Sequence, residues 1–201
     1  MNLRNLILAA SMVIIAASCS ESKKANHEES HEDHTNDPAK TELPEAGAPQ
    51  FHVDEKFQDQ LASVFSSYVQ LKDAFVSSDA AEVKKEATET KATLNEVDMK
   101  LLSGPAHNDW MAYVSPMETA LASIEGSSNI EEQRKAFSTL SDNFYKSIKA
   151  FGLGGKEAFY EYCPMAFNNE GAYWLSDQEK IRNPYFGDKM LTCGEVKEKL
   201  K

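Results

Sequence analysis

Four sulfur side chains near the C-terminus sit in two short phrases: "YCPM", in which Cys163 and Met165 flank Pro164, and "MLTC", which holds Met190 and Cys193. In an extended segment residues two apart project to one face, so Cys163 and Met165 are expected to point the same way. Pro164 favours that geometry and, having no N–H, suits a sheet edge. Met190 and Cys193 are three apart, which puts them side by side on one turn of a helix. If the two phrases fold together, two thiolates and two thioethers converge. Such soft donors select Cu(I), or Ag(I) as its mimic, over zinc or magnesium. Structural zinc sites want four Cys or His ligands, and methionine is a poor substitute. Two other readings stay open. A Cys163–Cys193 disulfide would close a loop of about 30 residues and contribute about 2–4 kcal/mol. Alternatively, the thiols are free and structural, with the methionines as gap-fillers in an aromatic core.

The N-terminus bears on that choice because it sets the redox compartment. "MNLRNLILAASMVIIAASC" has a basic start at Arg4, an apolar run from Leu6 to Ala17, and small residues before Cys19. The run is short for a membrane span and has the shape of a secretory leader. Small residues followed directly by cysteine resemble a bacterial lipobox, which implies a leader over 1–18 and lipidation at Cys19. The chain has three cysteines; with Cys19 taken as the anchor, Cys163 and Cys193 remain for an oxidising envelope compartment.

Residues 19–50 read as a disordered tether, almost without bulky apolar side chains to offset the entropy of folding. They hold eight acidic and three basic residues, a net of −5; with +1 from Arg4, residues 51–201 carry −7 of the chain's −11. Acidic domain and acidic tether argue against nucleic acid and against electrostatic docking on anionic lipid. Membrane attachment is expected through the lipid alone. His27, His31 and His34 lie in this tract. They read as a solvated spacer or as a loose collector of divalent cations.

The elements that must position the sulfurs are mainly helical. Phe57, Leu61, Val64, Phe65, Tyr68, Leu71 and Phe75 make one helical stripe beginning near Asp54. Val83, Ala87, Thr90, Leu94, Val97 and Leu101 make a second, with Asp79 and Glu82 spaced as a capping box. The third runs Trp110, Val114, Met117, Leu121, Ile124 and contains Pro116, which predicts a kink or a break after Val114. The fourth, opened by Asn129, runs from Ile130 to Phe151 and stops at Gly152. Short links predict an up-and-down antiparallel four-helix bundle over 51–155.

Over 156–201 the pattern changes. Eight of the chain's nineteen aromatic residues fall between Phe159 and Phe186. "AFYEYC" and "AYWLS" read as short strands around a turn, "NPYFG" as a second turn, and "EVKEKLK" as a last short helix. So small a module must pack on the bundle. His107 and Met111, four apart at the start of the third helix, are lesser candidates to add a ligand or gate the site. His52 has a weaker claim.

No Gly-rich phosphate loop, GxSxG or HExxH is present, and only His52 and His107 lie beyond the tether. The cysteine spacing is not that of a Cys-x-x-Cys oxidoreductase. The expectation is a protein that is not an enzyme.

The run "YCPMAFNNEGAYWLS", then "IRNPYFG", then "MLTCG" resembles an uncharacterised helical domain of Bacteroidota envelope lipoproteins, also found fused to the C-terminus of copper/silver-type efflux adaptors. "YVQLKDAFVSSD" and "EQRKAF" carry the likeness into the bundle. The matching positions are Cys163, Pro164, Met165, Gly171, Trp174, Leu175, Asn183, Pro184, Gly187, Met190, Cys193 and Gly194. The resemblance implies handling of a soft metal, with Cu(I) as the ion and an efflux adaptor or another envelope protein as partner. No adaptor hairpin or barrel is present, which favours a stand-alone binder over a pump component.

Overall fold

The computed structural model describes residues 43–201. The expected leader, Cys19, and His27, His31 and His34 lie outside the described residues. Four long helices lead, α1 (Glu55–Ser77), α2 (Ala80–Asn95), α3 (Gly104–Gly126) and α4 (Ile130–Phe151), and three short strands follow, β1 (Ala158–Cys163), β2 (Ala172–Ser176) and β3 (Glu195–Leu200). Consecutive helices pack on one another, and β2 lies against α4.

Local chemistry sets the helix ends. The carboxylate of Asp54 accepts the Lys56 N–H at the start of α1, and that of Asp79 accepts the Ala81 and Glu82 N–H groups at the start of α2. Asn129 does the same for Glu131 at α4. Each cap satisfies an otherwise orphaned donor. Only the Asp79 half of the expected capping box forms, because Glu82 turns to Lys85 at 2.9 Å. Pro116 does not break α3, which runs unbroken through it. Proline frees the carbonyl four residues back, that of Ala112; Ala112 is exposed, so water can take the vacancy.

The sheet order is β2-β1-β3, antiparallel throughout. The last segment is therefore a strand, where a short helix was expected. "EVKEKL" places lysine and glutamate at helix-compatible spacings, but the free edge of β1 supplies a ladder that a terminal helix of this length could not match. Lysine-rich edges are also how sheets avoid pairing with other chains. The chain before α1 joins this edge: Ala46 N–H donates to the Lys199 carbonyl at 2.8 Å, and Lys199 N–H to that of Pro44 at 2.9 Å. Residues 44–50, expected as the end of the tether, thus lie along the folded domain.

Helices and sheet share one core. Tyr68 of α1 is fully buried, and its hydroxyl accepts the Leu175 N–H of β2 at 3.1 Å and meets Ser141 Oγ of α4 at 2.7 Å. Ser141 Oγ in turn donates to the Phe137 carbonyl. Arg134 of α4, 5% exposed, donates to the Pro184 carbonyl (3.0 Å), to Glu131 (2.7 Å) and to Ser78 Oγ (2.9 Å). This one side chain ties α4 to the α1–α2 link and to the 177–194 connection.

Candidate functional site

β1 is the central strand, and its residues alternate between faces. Phe159, Glu161 and Cys163 share a face with their β2 partners Ser176, Trp174 and Ala172. Tyr160 and Tyr162 share the other, where Tyr145, Tyr160 and Tyr173 stack with centroid separations of 3.7 and 4.7 Å. Cys163 is fully buried, and Cys193 is half-buried at the end of the connection returning to β3. Their sulfurs lie 3.7 Å apart as free thiols.

The meeting of the thiols follows from strand register. Tyr162 pairs with Glu195, so Cys163 stands opposite the residues that lead into β3. Cys193 is then held from both sides. Its N–H donates to the Met190 carbonyl at 3.0 Å, closing a turn rather than the helical turn expected for Met190 and Cys193. Its carbonyl accepts the side-chain amide of Asn183 at 2.7 Å, while Asn183 Oδ1 accepts the Tyr185 N–H at 2.8 Å. Asn183 is fully buried, so both bonds are shielded from competing water. Burial, and next the neighbouring thiol of Cys163, push the Cys193 thiol above its ordinary range.

The methionines take a different position. β1 ends at Cys163, and the turn through Pro164 carries Met165 outward, where it is 45% exposed. Met165 and Met190 instead line one surface pocket of about 530 Å³, together with Glu131, Lys135, Phe167, Glu170 and others; neither cysteine is among its lining residues. The expectation that Cys163 and Met165 face together fails because the strand stops before Met165. Phe167, Asn168 and Asn169 form the pocket wall in three successive left-handed conformations (φ 51°, 60° and 72°). Gly171 follows at φ 81°, where any β-carbon would collide with the Tyr162 ring and hydroxyl.

His107 and Met111 do not join either group. They flank Trp110, which packs against Phe151 at the C-terminal end of α4, whereas the pocket takes Glu131 and Lys135 from the other end. Those ends of α4 are roughly 24 Å apart at 1.5 Å rise per residue. His52 is exposed. Among the described residues, no group of three or more His, Cys, Asp or Glu side chains is disposed to hold a metal.

Sequence reasoning missed a polar group on the Cys163 face. Glu161 is fully buried and neither of its carboxylate oxygens has a hydrogen-bond partner, nor does the indole N–H of its cross-strand neighbour Trp174. Burial drives its pKa up to about 8, against partial pulls downward from the Lys72 ammonium and from the neighbouring Trp174 indole. Lys72 of α1 is itself only 2% exposed and pairs with Asp73 at 2.9 Å. The signal was available: Glu161 falls between Phe159 and Cys163 in the buried alternation.

Residues 64–156 match the family model of an uncharacterised domain, described as a protein of unknown function (DUF3347). The matched stretch runs from within α1 to the loop before β1, so it holds the helical scaffold and neither Cys163 nor Cys193. No curated protein and no solved structure matches the chain. Among the described residues, no helix is long and apolar enough to cross a membrane.

Proposed function

We propose that this chain is an envelope lipoprotein that binds a soft metal ion, Cu(I) or Ag(I), and sequesters it or hands it to heavy-metal efflux. In this reading Cys19 carries the lipid and the remainder of the tether spaces the domain from the membrane. An up-and-down four-helix bundle scaffolds the site, and the protein is a binder rather than an enzyme. The ligating sulfurs are those of Cys163 and Cys193, and an efflux adaptor or another envelope protein receives the ion.

One observation carries the reading, the 3.7 Å separation of two free thiols thirty residues apart in sequence. A metal bridging two thiolates at about 2.3 Å each, as for zinc, needs the sulfurs up to ~4.6 Å apart; a disulfide needs ~2.05 Å. The observed spacing lies between and is nearer the first, so a small side-chain rotation serves the metal. The same spacing supports a second reading. Oxidation would close the pair into a staple, and the domain would then act by binding an envelope protein. A thiol pair can also do both in turn, binding Cu(I) when reduced.

The test is a Cu(I) titration of the reduced chain against a chromophoric chelator under anaerobic conditions. One-to-one competition that disappears in Cys163→Ser/Cys193→Ser supports the metal. A native protein that cannot compete removes the thiol site and leaves the staple.

A further inference from the structure

We infer that the pocket of Met165 and Met190 is a second binding site, thioether-based and distinct from the thiol pair, for a soft monovalent cation. The choice of cation, Cu(I) or Ag(I), rests on the soft-metal reading above. Thioether sulfur is a soft donor that favours these ions over zinc, magnesium or calcium. Both methionines line the pocket, and Met165 leaves 45% of its surface in water. A methionine serving only to fill a core gap would be enclosed, as Met117 is at 1%.

The lining adds oxygen donors to the two sulfurs. The lining has two carboxylates, Glu131 and Glu170, and one ammonium, Lys135. Arg134 occupies Oε1 of Glu131 at 2.7 Å, which leaves the second oxygen of Glu131 and the whole of Glu170 to the pocket. The rings of Phe167, Tyr185 and Phe186 complete it. At about 530 Å³ the pocket exceeds a bare ion, so there is space for a further ligand arriving with the metal.

The wall is held at a cost. Asparagine tolerates left-handed backbone, but at a residue such as Phe167 it costs on the order of 1–3 kcal/mol and persists only where its surroundings impose it. Asn168 and Asn169 follow Phe167 in the same conformation. They are pinned by the Phe167 ring against Tyr185 at 5.4 Å and by the Gly171 N–H to the Ala166 carbonyl at 3.0 Å. Asn168 and Asn169 also line the pocket, which adds amide oxygens to the donor set.

A thioether has no proton to lose, so above the carboxylate range binding here needs no deprotonation, whereas the thiols must be deprotonated to bind. That difference separates the two sites. The experiment uses the full chain with Cys19→Ser, Cys163→Ser and Cys193→Ser, its methionine methyls labelled with carbon-13, titrated with silver nitrate at pH 5.5. The expected result is a shift of the Met165 and Met190 methyl signals at one equivalent, while Met99 and Met111, exposed by 42% and 39%, stay in place as internal controls. Met165→Leu/Met190→Leu in the same background should weaken calorimetric Ag(I) affinity at least tenfold. Silent methyl signals, or a parallel shift of all exposed methionines, overturn the site. If the chelator assay finds no thiol binding while these two methyls respond, the thiol reading fails and this site stands. Thiol competition with silent methyls removes this site alone.

Discussion

Glu161→Gln isolates the least expected feature of the core. A glutamate in the unfolded chain titrates near 4.5, whereas burial of Glu161 pushes it to about 8. The folded state therefore holds a proton that the unfolded state gives up over the range between those values. Because the folded protein binds more protons there, stability falls as pH rises from 4.5 to 8 and then levels off. At ~1.36 kcal/mol per pKa unit, the loss is about 3 kcal/mol by pH 7 and about 5 above pH 9. Against a usual total of ~5–15 kcal/mol that is a large fraction. Glutamine keeps the shape and, like the protonated acid, is neutral. Whatever the difference between variant and wild type at pH 4, it should grow in favour of the variant by about 3 kcal/mol at pH 7. With slopes of ~1–3 kcal/mol/M, urea midpoints should diverge by roughly 1–3 M. The other charges acting on this position, Lys72 from α1 and Asp177 after β2, act on the carboxylate alone, and their effect is already contained in the shifted value. Urea melts at unit steps from pH 4 to 9 test the claim. Parallel profiles would mean that Glu161 is ionised at little cost, and the account of an unpartnered acid would be wrong.

Two further substitutions probe the joints between helices and sheet. Arg134→Lys leaves one ammonium where a planar fork reaches Pro184, Glu131 and Ser78; it should cost about 2–4 kcal/mol in chemical denaturation and speed amide exchange over 183–187. Tyr68→Phe strands the buried Leu175 N–H, and should cost about 1–3 kcal/mol with faster exchange at that amide. Adding Ser141→Ala should then cost less than it does alone, because the two hydroxyls share one bond, measurable as a double-mutant cycle.

The helices were legible because their signals are local. Asp54, Asp79 and Asn129 announce helix starts by side-chain chemistry within three residues, and Gly152 ends α4 at φ 76°. Charged residues inside the core were not read, although each kept the phase of its element. Lys72 falls between Tyr68 and Phe75 on the α1 stripe, and Arg134 between Ile130 and Phe137 on that of α4. Long charged side chains at such positions look like a solvated face, because what buries them and completes their hydrogen bonding comes from another part of the chain. Arg134 needs the Pro184 carbonyl, fifty residues on.

The sulfur site depends on the same kind of distant fact. Nothing near Cys193 says that the residues after it form a strand, and a helix there would leave no reason for Cys193 to meet Cys163. Once 195–200 pairs with β1, register alone puts the sulfurs within 3.7 Å of each other. The site is thus a consequence of β3, an edge strand, rather than of either sulfur phrase. Asn183 and the turn from Met190 then hold Cys193 from behind. From 3.7 Å, reaching either a metal bridge or a disulfide calls on rotation about the Cα–Cβ bonds, which set where the two sulfurs lie. The thiols and thioethers meanwhile face different surroundings, one pair in the interior and the other on a pocket. The proposed ion would meet a proton-linked mode of binding at the thiols and a mode that needs no proton loss at the thioethers.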